Sequence, residues 1–207
     1  MLKIAIEKER VNEMETVEFP GEIYVIDSML KVNAAINVLR SAPLVGFDTE
    51  TRPTFHKGDQ HSMSLIQLST LSECFLFRVN RIGVPQRLGD YLADPSCKKV
   101  GLSLHDDFNG LSRVSQTKPA GFVDIQDIVT KFHIADVSLQ KVYAILFQQK
   151  ISKSQRLTNW DAKQLTKSQQ RYAAIDAWAC INIYNYLRSG EFDPAKSPFI
   201  VKEEEKS

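Results

Sequence analysis

The sequence predicts an α/β domain in which a mixed β-sheet carries helices on its faces. Three observations predict this class. The 207 residues, 43% of them hydrophobic, suffice for one globular domain with a single large core. Runs typical of strands and runs of helical periodicity follow one another in the order β-α-β-β-β-α-β-α-β-α-α. One of the strands, at residues 44–50, is almost continuously apolar, as expected for the centre of a sheet.

The N-terminal half begins with a segment of weak periodicity. Residues 1–21 mix charged side chains with few apolar ones and end at Pro20-Gly21, which predicts a peripheral strand followed by a loose arm. The elements after this segment are a strand at 22–27, a helix at 29–40 with Ser28 as its N-cap, the central strand at 44–50, and a hairpin formed by 63–70 and 73–79.

The C-terminal half is mainly helical. Its predicted elements are a helix at 85–95, a strand at 98–104, a helix from 106, a strand from 121, a helix at 138–149 and a long last helix. The last helix is predicted to begin near Thr166, because Thr166 and Gln169 form a capping box, and to run to about Leu187 before Gly190. We therefore predict a domain at 22–190, with a frayed, charged tail at 191–207.

Composition excludes several classes of protein. A net charge of +1 excludes binding of nucleic acid by bulk electrostatics, so any phosphate-binding surface must be a local patch. The sequence has no apolar run of about 18 residues, and its charged start lacks a cleavage site, so we expect neither a membrane span nor a secretory signal. Cys74, Cys97 and Cys180 are widely spaced, which argues against disulfides and structural zinc. They fit the cytoplasm or another reducing intracellular compartment.

Two carboxylates stand at the end of the central strand. Asp48 and Glu50 are two residues apart, so both point to one face of the sheet, while Val45 and Phe47 point to the opposite face and into the core. Neighbouring carboxylates on a buried strand repel each other and are unfavourable unless a cation lies between them. The alternative is a solvated strand end.

A tyrosine and an aspartate lie one turn apart on the last helix. Tyr172 and Asp176 share one face of that helix. The residues around them are small, which allows close approach to the sheet and would bring Asp176 beside Asp48. These small residues are Ala173, Ala174, Ala177 and Ala179. The alternative is an ordinary amphipathic helix with a tyrosine at its rim.

A further pair of acidic residues, Asp106 and Asp107, opens the helix that follows the strand at 98–104. Either one could simply stabilise the helix N-terminus through the helix dipole. All candidate ligands are oxygen donors, with no Cys or His at ligand spacing, which favours Mg²⁺ or Mn²⁺ over zinc. Two such ions about 3.5–4 Å apart bind the attacking and leaving oxygens of an in-line displacement, the chemistry that cleaves phosphodiester bonds.

The ordered set of motifs LVGFDTET, VGLSLHDDFNGL and YAAIDAW resembles the DEDD family of 3′–5′ exonucleases, in its tyrosine-bearing subgroup. It is most similar to the ribonuclease D and Werner-type exonuclease domains. The resemblance covers about residues 22–187 and includes FDTETRPTFHKG, SLIQLST, CFLF and SQRLTNWDAKQL. It implies a ribonuclease H-like fold and a metal-dependent hydrolase that removes nucleotides from single-stranded 3′ ends of DNA or RNA. Counted from Val100-Gly101, the family's second-motif aspartate is Asp107.

The resemblance also implies a role for each motif residue. Asp48 would bridge two divalent cations, Glu50 and Asp176 would complete the site of the ion that activates water, and Asp107 would hold the second ion. Tyr172 would orient the attacking water. Since a tyrosine pKa is ordinarily near 10, a positioning role is favoured over that of a base at neutral pH.

Basic side chains near the motifs are candidates for substrate contacts, with solvated surface charge as the alternative. They are Arg52, His56, Lys57 and His61 after the first motif, and Lys153, Arg156, Lys163 and Lys167 before the last helix. Of these, we predict Arg52, Lys57 and Arg156 as substrate-binding residues. Trp160 is predicted to be a packing residue, with base stacking as the alternative.

Two rival functions are compatible with this fold class. The first is a non-catalytic nucleic-acid-binding module on the same fold, which the presence of all five motif residues disfavours. The second is an unrelated α/β phosphatase, disfavoured because the sequence has no nucleophile motif or glycine-rich phosphate loop. Both DNA and RNA remain open as substrates, since discrimination depends on contacts to the 2′-hydroxyl. No obligate protein partner is indicated.

Overall fold

The computed structural model describes residues 2–54 and 61–201. A six-stranded mixed sheet in the order β1-β4-β3-β2-β5-β6 forms its centre. The strands are β1 (Glu22–Ile26), β2 (Val45–Thr51), β3 (Met63–Ser69), β4 (Glu73–Phe77), β5 (Lys99–Gly101) and β6 (Phe122–Asp124). β3 is antiparallel to both of its neighbours, and the remaining pairs are parallel. This mixed sheet with flanking helices confirms the predicted fold class.

Helices cover both faces of the sheet. They are α1 (Lys8–Asn12), α2 (Met29–Ser41), α3 (Val79–Ile82), α4 (Gln86–Ala93), α5 (Leu104–Val114), α6 (Gln126–Val129), α7 (Leu139–Phe147) and α8 (Lys167–Ser189). Along β2, Val45 and Phe47 belong to the core shared with α2, α4 and α5. The intervening Gly46 faces α8. Among the helices of the described ranges, none is both long and apolar enough to span a membrane.

The helix α8 begins and ends where local sequence chemistry predicts. The Thr166 side chain accepts a hydrogen bond from the Gln169 backbone N–H at 3.2 Å, and the Gln169 side chain accepts one from the Thr166 N–H at 3.0 Å. This reciprocal pair satisfies backbone donors that the first helical turn leaves free. At the other end, Gly190 has φ of +81°, a left-handed conformation that glycine adopts without strain.

Small residues bring α8 very close to the central strand. A side chain at Gly46 would overlap the backbone carbonyl of Ala177. Ala173, Ala174 and Ala177 are themselves fully buried. The predicted close approach of this helix to the sheet is therefore confirmed, and it depends on the absence of a Cβ atom at residue 46.

The predicted peripheral strand at the N-terminus is reduced to isolated bridges. The predicted loose arm after it is wrong, because residues 8–12 form α1 and both Val11 and Val17 are buried. Ile4 pairs through isolated bridges with Ile134 and Ile200, and Ile4 and Ile6 are buried in the core formed with α7 and α8. Phe192 and Ile200 of the predicted frayed tail pack against the same core. Burying such a side chain stabilises a fold by about 1.5–3 kcal/mol, so a few apolar residues among many charges suffice to hold these segments. The domain division at residues 21 and 190 stays a prediction.

The predicted strand at 98–104 is too long, since β5 ends at Gly101 and α5 begins at Leu104. Ser103 between them has a left-handed φ of +59°. The carboxylate of Asp124, at the end of β6, accepts hydrogen bonds from the backbone N–H groups of Ser103 at 3.0 Å and Leu104 at 2.9 Å. The start of α5 is thus stabilised by a residue distant in sequence, which local periodicity does not reveal.

The contact between Gly46 and Ala177 predicts the effect of one added methyl group. Gly46→Ala should lower the free energy of unfolding by about 1–3 kcal/mol, because backbone atoms cannot move aside for it. Gly110→Ala in α5 is the matched control: its Cβ would meet the flexible end of Met63 at 3.1 Å. Urea unfolding of both variants checks the prediction, and equal stability of Gly46→Ala and wild type would contradict it.

Candidate active site

Three carboxylates from two elements converge beside the carboxyl end of β2. Asp48 and Glu50 come from β2 and Asp176 from α8, and one carboxylate oxygen from each lies within 4.8 Å of the others. Asp176 is only 6% exposed. Oxygen donors at this separation match the ligands and spacing of a hard divalent cation such as Mg²⁺ or Mn²⁺.

The two aspartates at the start of α5 differ in their exposure to solvent. Asp106 is exposed, whereas Asp107 is partly buried and accepts a hydrogen bond from the hydroxyl of Thr49. Asp107 lies outside the set of three mutually close carboxylates, but its charge raises the pKa of both Asp48 and Glu50. The Thr49 contact was not anticipated, since nothing in the sequence links these two residues.

Burial dominates the electrostatics of the site. Removal from water raises the pKa of Asp48 well above its ordinary range, and the negative charges of Asp107, Asp176 and Glu50 raise it further. Burial, followed by the charges of Asp176 and Asp107, raises the pKa of Glu50 to about 9. Burial also raises the pKa of Asp176 to about 7. Such a cluster is unfavourable in its fully ionised form unless a cation compensates the charge.

Tyr172 lies one helical turn before Asp176. Its hydroxyl interacts with the Asp176 carboxylate. This interaction lowers the pKa of Asp176 and so opposes the increase that burial causes. Burial, with the charges of Asp176 and Glu50, raises the pKa of Tyr172 far above its ordinary value. The phenol therefore stays protonated at neutral pH and is available as a hydrogen-bond donor. Its ring packs near that of Trp160, with centroids 6.0 Å apart, and the fully buried Trp160 cannot stack on a base.

A cavity of about 270 Å³ opens beside these side chains. Its polar lining consists mainly of Asp48, Asp176, Tyr172, Lys153 and Arg156, and its apolar lining of Leu102, Leu139, Ile151 and Cys180. A second cavity of about 340 Å³, lined in part by residues 16–19 and Arg171, shares Ile151 and Tyr172 with the first. A cavity with acidic, basic and apolar walls matches the mixed chemistry of a nucleotide. The apolar lining was not predicted, because it comes from separate loops and helix ends.

Only some of the predicted substrate-contact residues line this cavity. Arg156 lines the cavity, and its charge lowers the pKa of Glu50, while Lys153 is also part of the lining. Arg52 is exposed just beyond β2 and does not line this cavity. The remaining candidates divide into His61, Lys163 and Lys167, which lie outside its lining, and His56 and Lys57, which fall outside the described residues.

The sheet order and its flanking helices match the ribonuclease H-like fold that the motifs imply, and the acidic cluster at the end of the central strand adjoins a cavity. The sequence matches a family model described as 3′-5′ exonuclease over residues 23–190. The chain therefore belongs to the 3′–5′ exonuclease family. This finding confirms the resemblance of the sequence motifs to the tyrosine-bearing DEDD exonucleases.

Individual relatives agree with this assignment. The chain is 34% identical over 181 residues to the mouse bifunctional 3'-5' exonuclease/ATP-dependent helicase WRN, covering 83% of the chain and 13% of that relative. It is 29% identical over 150 residues to a 3'-5' exonuclease of Arabidopsis thaliana, covering 70% of the chain and 52% of the relative. The chain thus spans about half the length of the Arabidopsis relative and much less of the mouse relative.

A solved structure shares the fold. The RNase D of Trypanosoma brucei, in complex with RNA U12, superposes with a TM-score of 0.72 at 22% sequence identity. The match covers 82% of this chain and 63% of that one. This similarity confirms the ribonuclease H-like fold predicted from the sequence motifs.

The raised carboxylate pKa values predict an unusual dependence of stability on pH. In the metal-free folded protein, Glu50 has a pKa of about 9 and so stays mostly protonated below that pH. In the unfolded chain, its pKa has the ordinary value of 4.5. The unfolded state therefore binds fewer protons in this range, and stability falls as the pH rises from about 4.5 to 9.

We expect the melting temperature in EDTA to decrease across this pH range and Mn²⁺ to reverse the decrease, since a ligand that binds the folded state stabilises it. Glu50→Gln cannot ionise and should make the decrease less steep, leaving the part that Asp48 and Asp176 contribute, whereas the exposed control Asp106→Asn should leave the profile nearly unchanged. A metal-free profile that rises with pH would show that the carboxylates are not desolvated as described.

Proposed function

We propose that the chain is a metal-dependent 3′–5′ exonuclease that hydrolyses phosphodiester bonds at the 3′ ends of single-stranded nucleic acid. The observation that carries this proposal is the convergence of Asp48, Glu50 and Asp176 within 4.8 Å of one another, at a cavity that basic residues also line. Membership of the 3′–5′ exonuclease family supports it. The proposal concerns this chain, which covers only part of the length of its relatives.

The donor set fits two Mg²⁺ or Mn²⁺ ions. All the candidate ligands are carboxylates, which these hard cations prefer. In the proposed arrangement Asp48 would be shared by both ions, Glu50 and Asp176 would help to hold one, and Asp107 would help to hold the other. When bound, such ions supply an activated water and stabilise negative charge on the phosphate. The desolvation of these carboxylates supports the assignment, because each cation would compensate charge that the protein otherwise leaves unpaired.

The other side chains of the cavity have roles in binding and orientation. The Tyr172 hydroxyl, protonated at neutral pH, would donate a hydrogen bond and orient the attacking water. Lys153 and Arg156 carry positive charge for the phosphates of the strand, while Leu102 and Leu139 offer apolar surface to a sugar or base. The cavity of about 270 Å³ holds a group of about nucleotide size. Arg52 and Lys57 remain proposed substrate contacts.

The proposed substrate is single-stranded nucleic acid of either kind. A relative of the same fold was solved in complex with RNA, and another is named as an exonuclease joined to a helicase. With a net charge of only +1, the chain must bind phosphates through the local basic patch at Lys153 and Arg156. Three free cysteines support a reducing intracellular compartment as its location.

The alternative of a non-catalytic binding module is not favoured. A surface that only binds nucleic acid has no use for buried carboxylates, which repel phosphate and destabilise the metal-free fold. The chain nevertheless has all five motif residues, and three of them, Asp48, Tyr172 and Asp176, line one cavity.

Stepwise shortening of labelled strands tests the proposal. With Mn²⁺ or Mg²⁺, the wild-type chain should convert 5′-labelled single-stranded DNA or RNA into a ladder of products shortened from the 3′ end. Asp48→Ala should reduce the rate by about 1000-fold or more, since it removes the ligand shared by both ions, a loss of several kcal/mol of transition-state stabilisation. The control Asp106→Asn should remain near the wild-type rate. Wild-type turnover in Asp48→Ala, or no cleavage of either nucleic acid by wild type, would refute the proposal.

A separate prediction concerns the tyrosine. Tyr172→Phe keeps the ring packed near Trp160 and leaves the carboxylates in place, so affinity for Mn²⁺ should be nearly unchanged. The single-turnover cleavage rate should fall by about 10- to 1000-fold, as expected when a positioned catalytic hydrogen bond is lost. Calorimetric Mn²⁺ titration beside single-turnover kinetics separates the two effects. A loss of metal binding as severe as in Glu50→Gln would make Tyr172 part of the metal site, and an unchanged rate would reduce it to a packing residue.

A further inference from the structure

Gln67 of β3 lies directly opposite Asp48 of β2. Residues opposite each other in an antiparallel pair project to the same face of the sheet, with Cβ atoms about 4.5–5.5 Å apart. The pairing is regular at this point, because the register shifts only further along, between Glu50 and Thr51. The side chains of Gln67 and Asp48 are therefore neighbours on the face that α8 covers.

The Gln67 side chain is fully buried and unpaired. It is 0% exposed, and neither its Nε2 nor its Oε1 has a hydrogen-bond partner within the part of the chain that the structure describes. Its neighbours on this face include Leu76, opposite it on β4, and Leu65, two residues earlier on β3, and both are buried and apolar. A buried amide without a partner destabilises a fold, and such groups are uncommon in native proteins. The carboxylate directly opposite it on the adjacent strand is that of Asp48.

The carboxylates of the site differ in how their side chains are held. Thr49 donates a hydrogen bond to Asp107, and the Tyr172 hydroxyl interacts with Asp176. Within residues 2–54 and 61–201, Asp48 has no comparable hydrogen bond from a side chain. Carboxylates that bind metals are usually held by further hydrogen bonds, which fix the direction of their oxygens. Asp48, the carboxylate proposed to be shared by both ions, thus lies beside an unused amide donor.

We propose that Gln67 is a positioning residue for Asp48. Its Nε2 amide donates a hydrogen bond to the Asp48 carboxylate when that carboxylate holds a divalent cation, and it thereby directs the Asp48 oxygens toward the ion. Rotation about the last side-chain torsion of a glutamine is soft, so the amide can turn toward Asp48 without movement of the strands. The inference rests on the proposed function, because it assigns Gln67 to the same metal site. It also explains why β3 keeps a polar residue that the metal-free fold does not satisfy.

The variant Gln67→Met tests the inference, since methionine has a similar length and no hydrogen-bonding amide. Its affinity for Mn²⁺, measured by calorimetry on folded protein, should fall by about 10- to 100-fold, the usual effect of removing a hydrogen bond to a metal ligand. Its melting temperature in EDTA should be equal to or above that of wild type, because the unpaired amide is gone. Leu68→Met is the matched control: Leu68 is equally buried on the same strand but faces the opposite core. It should bind Mn²⁺ as wild type does.

The outcomes separate this inference from the proposed function. If wild type binds no Mn²⁺, the proposed function fails and this inference fails with it. If wild type binds Mn²⁺ and Gln67→Met binds it equally well, the inference alone is overturned. A lowered melting temperature with unchanged affinity would identify Gln67 as a packing residue and would also overturn it.

A measurement on the unmodified chain covers the case in which Gln67→Met does not fold. The side-chain amide resonances of Gln67 in a ¹⁵N-labelled sample should shift on addition of Mg²⁺, as the amide protons enter a hydrogen bond to a carboxylate. The side-chain amide of exposed Asn37, in α2 on the opposite face of the sheet, is the internal reference and should not shift. Gln67 resonances that stay unchanged while the protein binds Mg²⁺ would refute the inference.

Discussion

The backbone of α8 lies against β2 at Gly46, where the carbonyl of Ala177 fills the space that any side chain at residue 46 would need. This contact determines the geometry of the site. Asp48 follows Gly46 by two residues on the strand, and Asp176 precedes Ala177 by one residue on the helix. Because both backbones are rigid, the approach of α8 at one point fixes the separation of these two carboxylates. Tyr172, one turn earlier on α8, is placed by the same contact.

This geometry removes several carboxylates from water, which disfavours their charged forms. Asp48, Glu50 and Asp176 have raised pKa values, with burial as the main cause in each case. A fold that brings such groups together is less stable at neutral pH without a cation than one with apolar residues there. The surrounding sheet and the long, well-capped α8 hold them in place, and divalent cations would recover the lost interaction energy. Activity and metal-free stability therefore oppose each other at this site.

Local chemistry made part of the fold predictable. The capping box of Thr166 with Gln169 and the left-handed Gly190 depend on neighbouring residues, and the structure confirms both ends of α8. Spacing alone placed Asp48 and Glu50 on one face of β2. The alanines around Asp176 indicated the close approach to the sheet, and the family match confirms the exonuclease resemblance that the motifs suggested.

Features that depend on contacts between residues far apart in the chain could not be predicted from the sequence. The start of α5 is set by the carboxylate of Asp124 on another strand, so its position could not be inferred from helical periodicity. The N-terminal segment was predicted to be loose, because four buried side chains among many charges give no visible period. Those four are Ile4, Ile6, Val11 and Val17. The pairing of Gln67 with Asp48 requires the register of β3 against β2, which only the folded sheet defines.

Anomalous diffraction from crystals grown with Mn²⁺ tests the central claim most directly, because it locates cations without reference to activity. The account predicts two manganese peaks about 3.5–4 Å apart beside Asp48, one of them also bound by Glu50 and Asp176. Manganese absent from these carboxylates at saturating concentration, with ordered density for all three side chains, would contradict it.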